Sequence, residues 1–252
     1  TVDEFRIAVA ETFDVIVEPT GQDAFTIFAQ SMDRSGYACG TLAVREGLRA
    51  PVPEPDPRPL LTMADMGHGH GTPNGNGAGA GGSDDPHAGH GTHAAAMQTH
   101  PESERGNPLV DMQTMTPAPK LDDPGIGLRG NGRRVLTYAD LVSLFDDPDG
   151  RQPARTIELH LTGHMERFAW SFDGLKFSDA EPIRFTYGER LRIVLVNDTM
   201  MAHPIHLHGM WSDLEDAEGR FLVRKHTVDM PPGTRRSYRV TAYRSLTSCT
   251  RC

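Results

Sequence analysis

The chain has 252 residues, with 25 Lys and Arg against 34 Asp and Glu, a formal net charge of −9. That balance excludes a phosphate-neutralising nucleic-acid binder, and no apolar run approaches the roughly 18 residues of a membrane span. Three cysteines are too few for a disulfide scaffold, whereas 12 histidines and 11 methionines make metal-ligand chemistry abundant.

In chain order, residues 1–46 read as strands. Phe5–Val9, Phe13–Val17 and Phe25–Ala29 each alternate apolar with other residues at the period of two that a half-buried strand needs. Gly21 and Asp23 mark the turn before the third of these. Some 46 residues make an uncomfortably small domain, so Thr1 is expected to fall inside a larger one and the chain to be a fragment. Residues 47–132 hold 16 Gly and 12 Pro, 28 of 86, and no Phe, Trp or Tyr, although the chain has 17 aromatics. Without aromatics the segment has little apolar surface to offset its ordering entropy, and it is expected to be a mostly disordered linker. Its alternating prolines Pro51 to Pro59 should be stiff and extended, and its Gly75–Gly82 run flexible. After it, Thr137 is the predicted N-cap of one short helix, with Asp140 at N3 and Leu141, Leu144 and Phe145 on one face. Strands are predicted at Thr156–Leu161, Phe168–Phe172, Ile183–Tyr187, Arg190–Val196, Phe221–Thr227 and Arg236–Thr241. Turn signals at Asp173-Gly174, Gly188 and Pro231-Pro232-Gly233 separate them, the pattern of an antiparallel sandwich or barrel.

The informative motif is His203-Pro204-Ile205-His206-Leu207-His208-Gly209. In an extended chain His206 and His208 face one side and His203 the other, so one short segment can serve two metal sites. Imidazole suits Cu, Zn, Fe and Ni. The motif, continued through Met210-Trp211, resembles the third-domain copper motif of multicopper oxidases, and more narrowly that of their copper-resistance protein A type. Thr1–Pro19 and Ile27–Leu42 resemble the end of the second domain of such proteins. Glu158–Ala242 resembles the third, through Met165-Glu166-Arg167, Trp170–Gly174, Asn197–Met201 and Arg224-Lys225-His226-Thr227.

The resemblance implies an all-β, cupredoxin-like Greek-key fold. Residues 1–46 would be the C-terminal part of a second cupredoxin-like domain, 47–132 the linker and 133–252 an incomplete third domain. It further implies that His203 ligates a type 1 copper, His206 a type 2 copper and His208 one of a type 3 pair. The expected function is oxidation of Cu(I) or phenolic substrates with reduction of dioxygen to water, in the bacterial periplasm. The family pattern continues past Ala242 into a His-Cys-His motif, but here Tyr243–Cys252 follows and no histidine flanks Cys249 or Cys252. The chain alone is therefore expected to be an inactive fragment. The alternative is a non-enzymatic module that sequesters copper.

Weaker signals surround the motif. His68, His70, His87, His90, His93, Met63 and Met66 are candidate accessory copper ligands, with His100, Met97, Met112 and Met115 in the same segment. His160, His164 and His226 are expected to be structural or exposed, Trp170 and Trp211 to pack, and Cys39 to be structural. Cys249-x-x-Cys252 reads as an exposed tail.

Overall fold

The computed structural model describes residues 1–66 and 97–243. Twelve strands run in chain order: β1 (Glu4–Phe5), β2 (Ala24–Gln30), β3 (Tyr37–Ala43), β4 (Val135–Leu136), β5 (Arg155–His164), β6 (Ala169–Phe172), β7 (Arg190–Asn197), β8 (His203–His206), β9 (Ser212–Glu215), β10 (Phe221–Lys225), β11 (Thr227–Met230) and β12 (Arg235–Thr241). The main sheet has the order β10-β9-β12-β7-β5-β6, antiparallel except where β5 and β7 pair in parallel. β8 and β11 form a separate antiparallel ribbon. Across from the sheet, Ile205, Val228 and Met230 of the ribbon join Leu159, Leu161, Ile193, Leu195, Leu214, Tyr238 and Val240 in one apolar core. Central β7 reads almost continuously apolar because both its faces are covered: Val194 and Val196 are buried as fully as Ile193 and Leu195.

The all-β expectation holds, with corrections in its details. No strand forms at residues 13–17 or 183–187, the expected strand 5–9 keeps only Phe5, in β1, and the expected strand 221–227 breaks at His226 into β10 and β11. The predicted helix is a single 3-10 turn, Tyr138–Asp140. Its cap is real: Asp140 Oδ2 accepts from both the backbone N–H and the hydroxyl of Thr137 at 2.8 Å. No helix grows beyond it, because one turn fixes backbone angles for little hydrogen bonding and Leu144, which should have anchored the face, is fully exposed.

Within the segment expected to be a mostly disordered linker, the described residues 97–132 pack against the sheet. Thr114, Glu104 and Leu128 are buried. Ala118 bridges Thr234, and its backbone exchanges hydrogen bonds with Gly233 and Arg235. The segment needs no aromatic core of its own, because it borrows anchors from the sheet. Asp198 Oδ1 accepts the Thr114 N–H at 2.7 Å, and Arg236 donates to the Pro119 and Lys120 carbonyls at 2.9 Å each. The expectation of a flexible Gly75–Gly82 run lies outside the described residues.

The N-terminal residues also dock on the later strands. β1 pairs in parallel with β4, Arg6 bridges Asp229 at 2.7 Å, and Lys225 reaches Glu11 at 2.7 Å across the rings of Phe13 and Tyr138. The β2–β3 hairpin forms its own two-stranded sheet, on which Cys39 is exposed rather than structural. Gly233 shows how tightly the borrowed segment packs. Its φ is +62°, and an added Cβ would lie 2.8 Å from the Met66 backbone. Gly233→Ala is expected to destabilise by about 2–4 kcal/mol, read as a shift of the urea midpoint at unchanged slope.

Candidate metal centre

The Asn197–Met201 turn follows β7 and leads into β8. Asn197 organises it: its side-chain amide donates to the carbonyls of Met201 and Met230, both at 2.7 Å, and its Oδ1 accepts the Thr199 N–H at 2.9 Å. Thr199 Oγ1 then lies 2.8 Å from His203 Nε2. The single Thr199 hydroxyl proton has acceptors in Asn197 Oδ1 at 2.9 Å and the Met201 carbonyl at 3.2 Å. Its oxygen, which also accepts the Met201 N–H at 3.2 Å, has a second lone pair for Nε2–H of His203, the arrangement that leaves Nδ1 with its lone pair. The His203 ring meets Trp170 edge-on, with centroids 4.9 Å apart, and burial pushes its titration down to about 4. At neutral pH it is an uncharged imidazole, the form that binds metal.

His206 is oriented from the other strand of the ribbon. β8 and β11 pair with His206 opposite Thr227, and His206 Nδ1 lies 2.5 Å from the His226 carbonyl. A carbonyl only accepts, so Nδ1 carries the proton and Nε2 carries the lone pair. This is the outer-shell contact that commonly fixes a ligating histidine. The His206 ring lies 5.0 Å from that of His208 and 5.7 Å from that of His226. Trp211 sits 6.0 Å from His226. His206 and His208 adjoin, although His208 lies in the turn past β8, while the neighbours of the His203 ring are Trp170 and Thr199. Pro204 faces Asp229 in the register and has no N–H to leave unpaired.

Sequence reasoning undervalued His226. Its ring nitrogens meet Thr12 Oγ1 at 2.9 Å and Thr227 Oγ1 at 3.0 Å, while its carbonyl orients His206. Only the β8–β11 pairing, 20 positions apart in sequence, reveals that role. His160, expected to be structural or exposed, is buried against Asp198, Glu104 and His100. His164 stands 3.5 Å from Asp111. Of the accessory candidates, Met66 is fully buried on a 3-10 turn, its carbonyl accepting the Thr114 hydroxyl at 2.6 Å, so its thioether is a packing group. Met63, on the same turn, stays half exposed. His68, His70, His87, His90 and His93 lie outside the described residues, as do Cys249 and Cys252.

The imidazoles of the motif therefore offer a donor set suited to copper, with His203 and His206 both on β8 and each held by a neighbouring group. Among the described residues no helix is long and apolar enough to cross a membrane.

The multicopper oxidase family model matches residues 150–252. The chain is 66% identical over 257 residues to a copper resistance protein A homolog of Pseudomonas syringae pv. tomato, covering 96% of the chain and 44% of that protein. It is 64% identical over 276 residues to copper resistance protein A of Escherichia coli, covering 96% of the chain and 45% of that protein. Among solved structures, blue copper oxidase from Nitrosomonas europaea is 20% identical, covers 39% of this chain and 37% of its own, and superposes with a TM-score of 0.34. The chain thus spans less than half the length of the curated relatives it matches.

Proposed function

We propose that this chain, a member of the multicopper oxidase family of the copper-resistance type, contributes ligands to the copper sites of an oxidase of that kind. His203 would bind a type 1 copper, His206 a type 2 copper and His208 one of a type 3 pair. The observation that carries this reading is the assignment of the free nitrogens: Nδ1 on His203 and Nε2 on His206, each set by a hydrogen bond from the fold. When bound, copper would supply one-electron transfer from a reduced substrate and the reduction of dioxygen to water. The protein's part is orientation. Asn197 and Thr199 hold His203, the His226 carbonyl holds His206, and Trp170 packs edge-on against the His203 ring. Cu(I) or phenolic compounds as substrates and the periplasm as compartment follow from the resemblance to copper-resistance proteins. By the same resemblance, residues 1–46 would be the end of one cupredoxin-like domain and 133–252 part of the next.

For this chain by itself, the second reading is favoured: copper held without turnover. A type 1 site needs a thiolate beside its histidines. The one described cysteine, Cys39, is exposed on the β2–β3 hairpin, and what the His203 ring meets is Thr199 and Trp170. Loading the purified chain with Cu(II) should give an EPR spectrum with nitrogen hyperfine structure and no intense blue absorption. Oxygen-electrode traces with Cu(I) or a phenol should stay at background. A blue band with oxygen uptake would defeat the no-turnover reading, and copper uptake indifferent to a combined H203A/H206A/H208A change would defeat the ligand assignment.

A further inference from the structure

A second cluster of donors lies outside the His203–His208 motif. His160, on β5, sits one strand from Asp198, which follows β7. His100 and Glu104 arrive on the segment that packs over this edge, four residues apart across the 3-10 turn Glu102–Glu104. His160 Nδ1 is 2.8 Å from Asp198 Oδ2 and 3.6 Å from Glu104 Oε1. His100 Nδ1 is 3.1 Å from Glu104 Oε2 and 3.4 Å from Asp198 Oδ2. One donor atom from each of the four residues falls within 4.8 Å of all the others, and His160, Glu104 and Asp198 are buried.

An unmet carboxylate oxygen makes this more than an ion-pair network. His100 Nε2 faces the Thr114 carbonyl at 3.0 Å and His160 Nε2 faces a Glu158 carboxylate oxygen at 3.4 Å. Both Nδ1 atoms face buried carboxylates, His160 on Asp198 at 2.8 Å and His100 on Glu104 at 3.1 Å. The protons between these groups are the ones a bound cation would displace, because metal binding releases protons from its ligands. Glu104 Oε1 has no hydrogen-bond partner although its side chain is wholly buried, and it points at His160. Burial pushes the Glu104 carboxyl above its ordinary range. Burial also works against charging His160, but the Asp198 and Glu104 carboxylates overcome it and raise its titration.

The dimensions fit one class of occupant. Four ligands at about 2.0–2.2 Å from a tetrahedral ion stand about 3.3–3.6 Å from one another. The four histidine–carboxylate contacts here run from 2.8 to 3.6 Å, through either oxygen of Glu104, and one donor atom from each residue lies within 4.8 Å of the others, a spacing a small ion can draw together. The outer shell is in place: Gln113 donates to Glu104 Oε2 at 2.7 Å and the Thr114 backbone donates to Asp198 Oδ1 at 2.7 Å. We propose that His100, Glu104, His160 and Asp198 form a closed structural site for a divalent ion that accepts tetrahedral N₂O₂ ligation, with Zn²⁺ as the fitting ion. All four positions are filled by protein, so the ion staples residues 97–119 onto β5 and β7. Because Asp198 adjoins Thr199, the staple also braces the turn that orients His203. The site is independent of the copper ligands.

The experiment is cobalt substitution of the full 252-residue chain after chelator treatment, read by visible absorption. One equivalent of Co²⁺ should give the intense d–d bands of tetrahedral ligation, and Zn²⁺ should abolish them by competition. Glu104→Gln, nearly isosteric, should remove the bands and weaken Zn²⁺ binding by more than about 100-fold, with an unchanged circular dichroism spectrum. His100→Gln, nearer the surface, serves the same purpose if Glu104→Gln does not fold. The combined H203A/H206A change should leave the bands in place. Absence of tetrahedral bands in the parent chain overturns the proposal, as do bands that persist in both Glu104→Gln and His100→Gln, which would place the cobalt on other histidines.

Discussion

Replacing Glu215 by alanine is expected to lower stability by about 3 kcal/mol, because it removes the buried carboxylate that Arg239 shares with Arg192 and leaves the partly buried Arg192 unpaired. Glu215 is wholly buried at the end of β9 and takes both Nε and Nη2 of Arg192 at 2.8 Å, with Arg239 Nε at 2.5 Å. Arg239 in turn reaches Asp147 at 2.9 Å, and Asp147 also meets the buried Arg190 at 2.6 Å, so the pairs form one network across β7, β9 and β12. Arginine does not shed its proton, so the stranded charge has no cheap escape. Burial works to raise the Glu215 carboxyl, but the hydrogen bonds from Arg192, Ser237 and Arg239 prevail and hold it below its ordinary 4.5. A depressed carboxyl contributes stability above its unfolded-state value and loses it as pH falls through the folded-state value. The Glu215→Ala penalty should therefore be full at pH 7 and shrink as pH drops below 4.5. Urea titrations of both proteins at pH 7 and pH 3.5 measure this; an equal penalty at both would refute the network account.

Replacing His206 by alanine should remove the copper signal of the His203–His208 motif. The effect should exceed the roughly 10–100-fold typical of losing an outer-shell partner, because a ligand itself is lost. The variant also leaves the His226 carbonyl without its N–H donor, so circular dichroism should accompany the measurement. The measurement is competition for Cu(II) against a chromophoric chelator. It should be made in a background where His68, His70, His87, His90 and His93 are glutamine, so that these imidazoles do not mask the loss. His226→Ala should act more weakly, since the orienting group is its backbone carbonyl, which survives the substitution. Copper affinity unchanged by His206→Ala in that background would remove His206 from the site.

What could be read locally was read well. The core strands β5, β7 and β12 follow from alternating or continuous apolar runs, and the Thr137–Asp140 cap from residue type and spacing. Residues 97–132 were misjudged because the absence of aromatics says only that a segment cannot build its own core. It does not say whether another part of the chain offers buried acceptors and donors, as Asp198 and Arg236 do here. His160 was undervalued for a similar reason: its partners Asp198 and Glu104 are 38 and 56 positions away.

By itself, the sequence determined that His203 and His206 sit three apart along one strand, since strand parity is a property of a few consecutive residues. It also determined the donor types, because imidazole chemistry travels with the residue. The tertiary structure decided which nitrogen each imidazole leaves free, through the β8–β11 register that sets the His226 carbonyl on His206 and the turn that sets Thr199 on His203. It also decided that His100 and Glu104 meet His160 and Asp198. Such meetings depend on which distant segments bury their apolar surface together, a choice made by the whole core at once and by no local pattern.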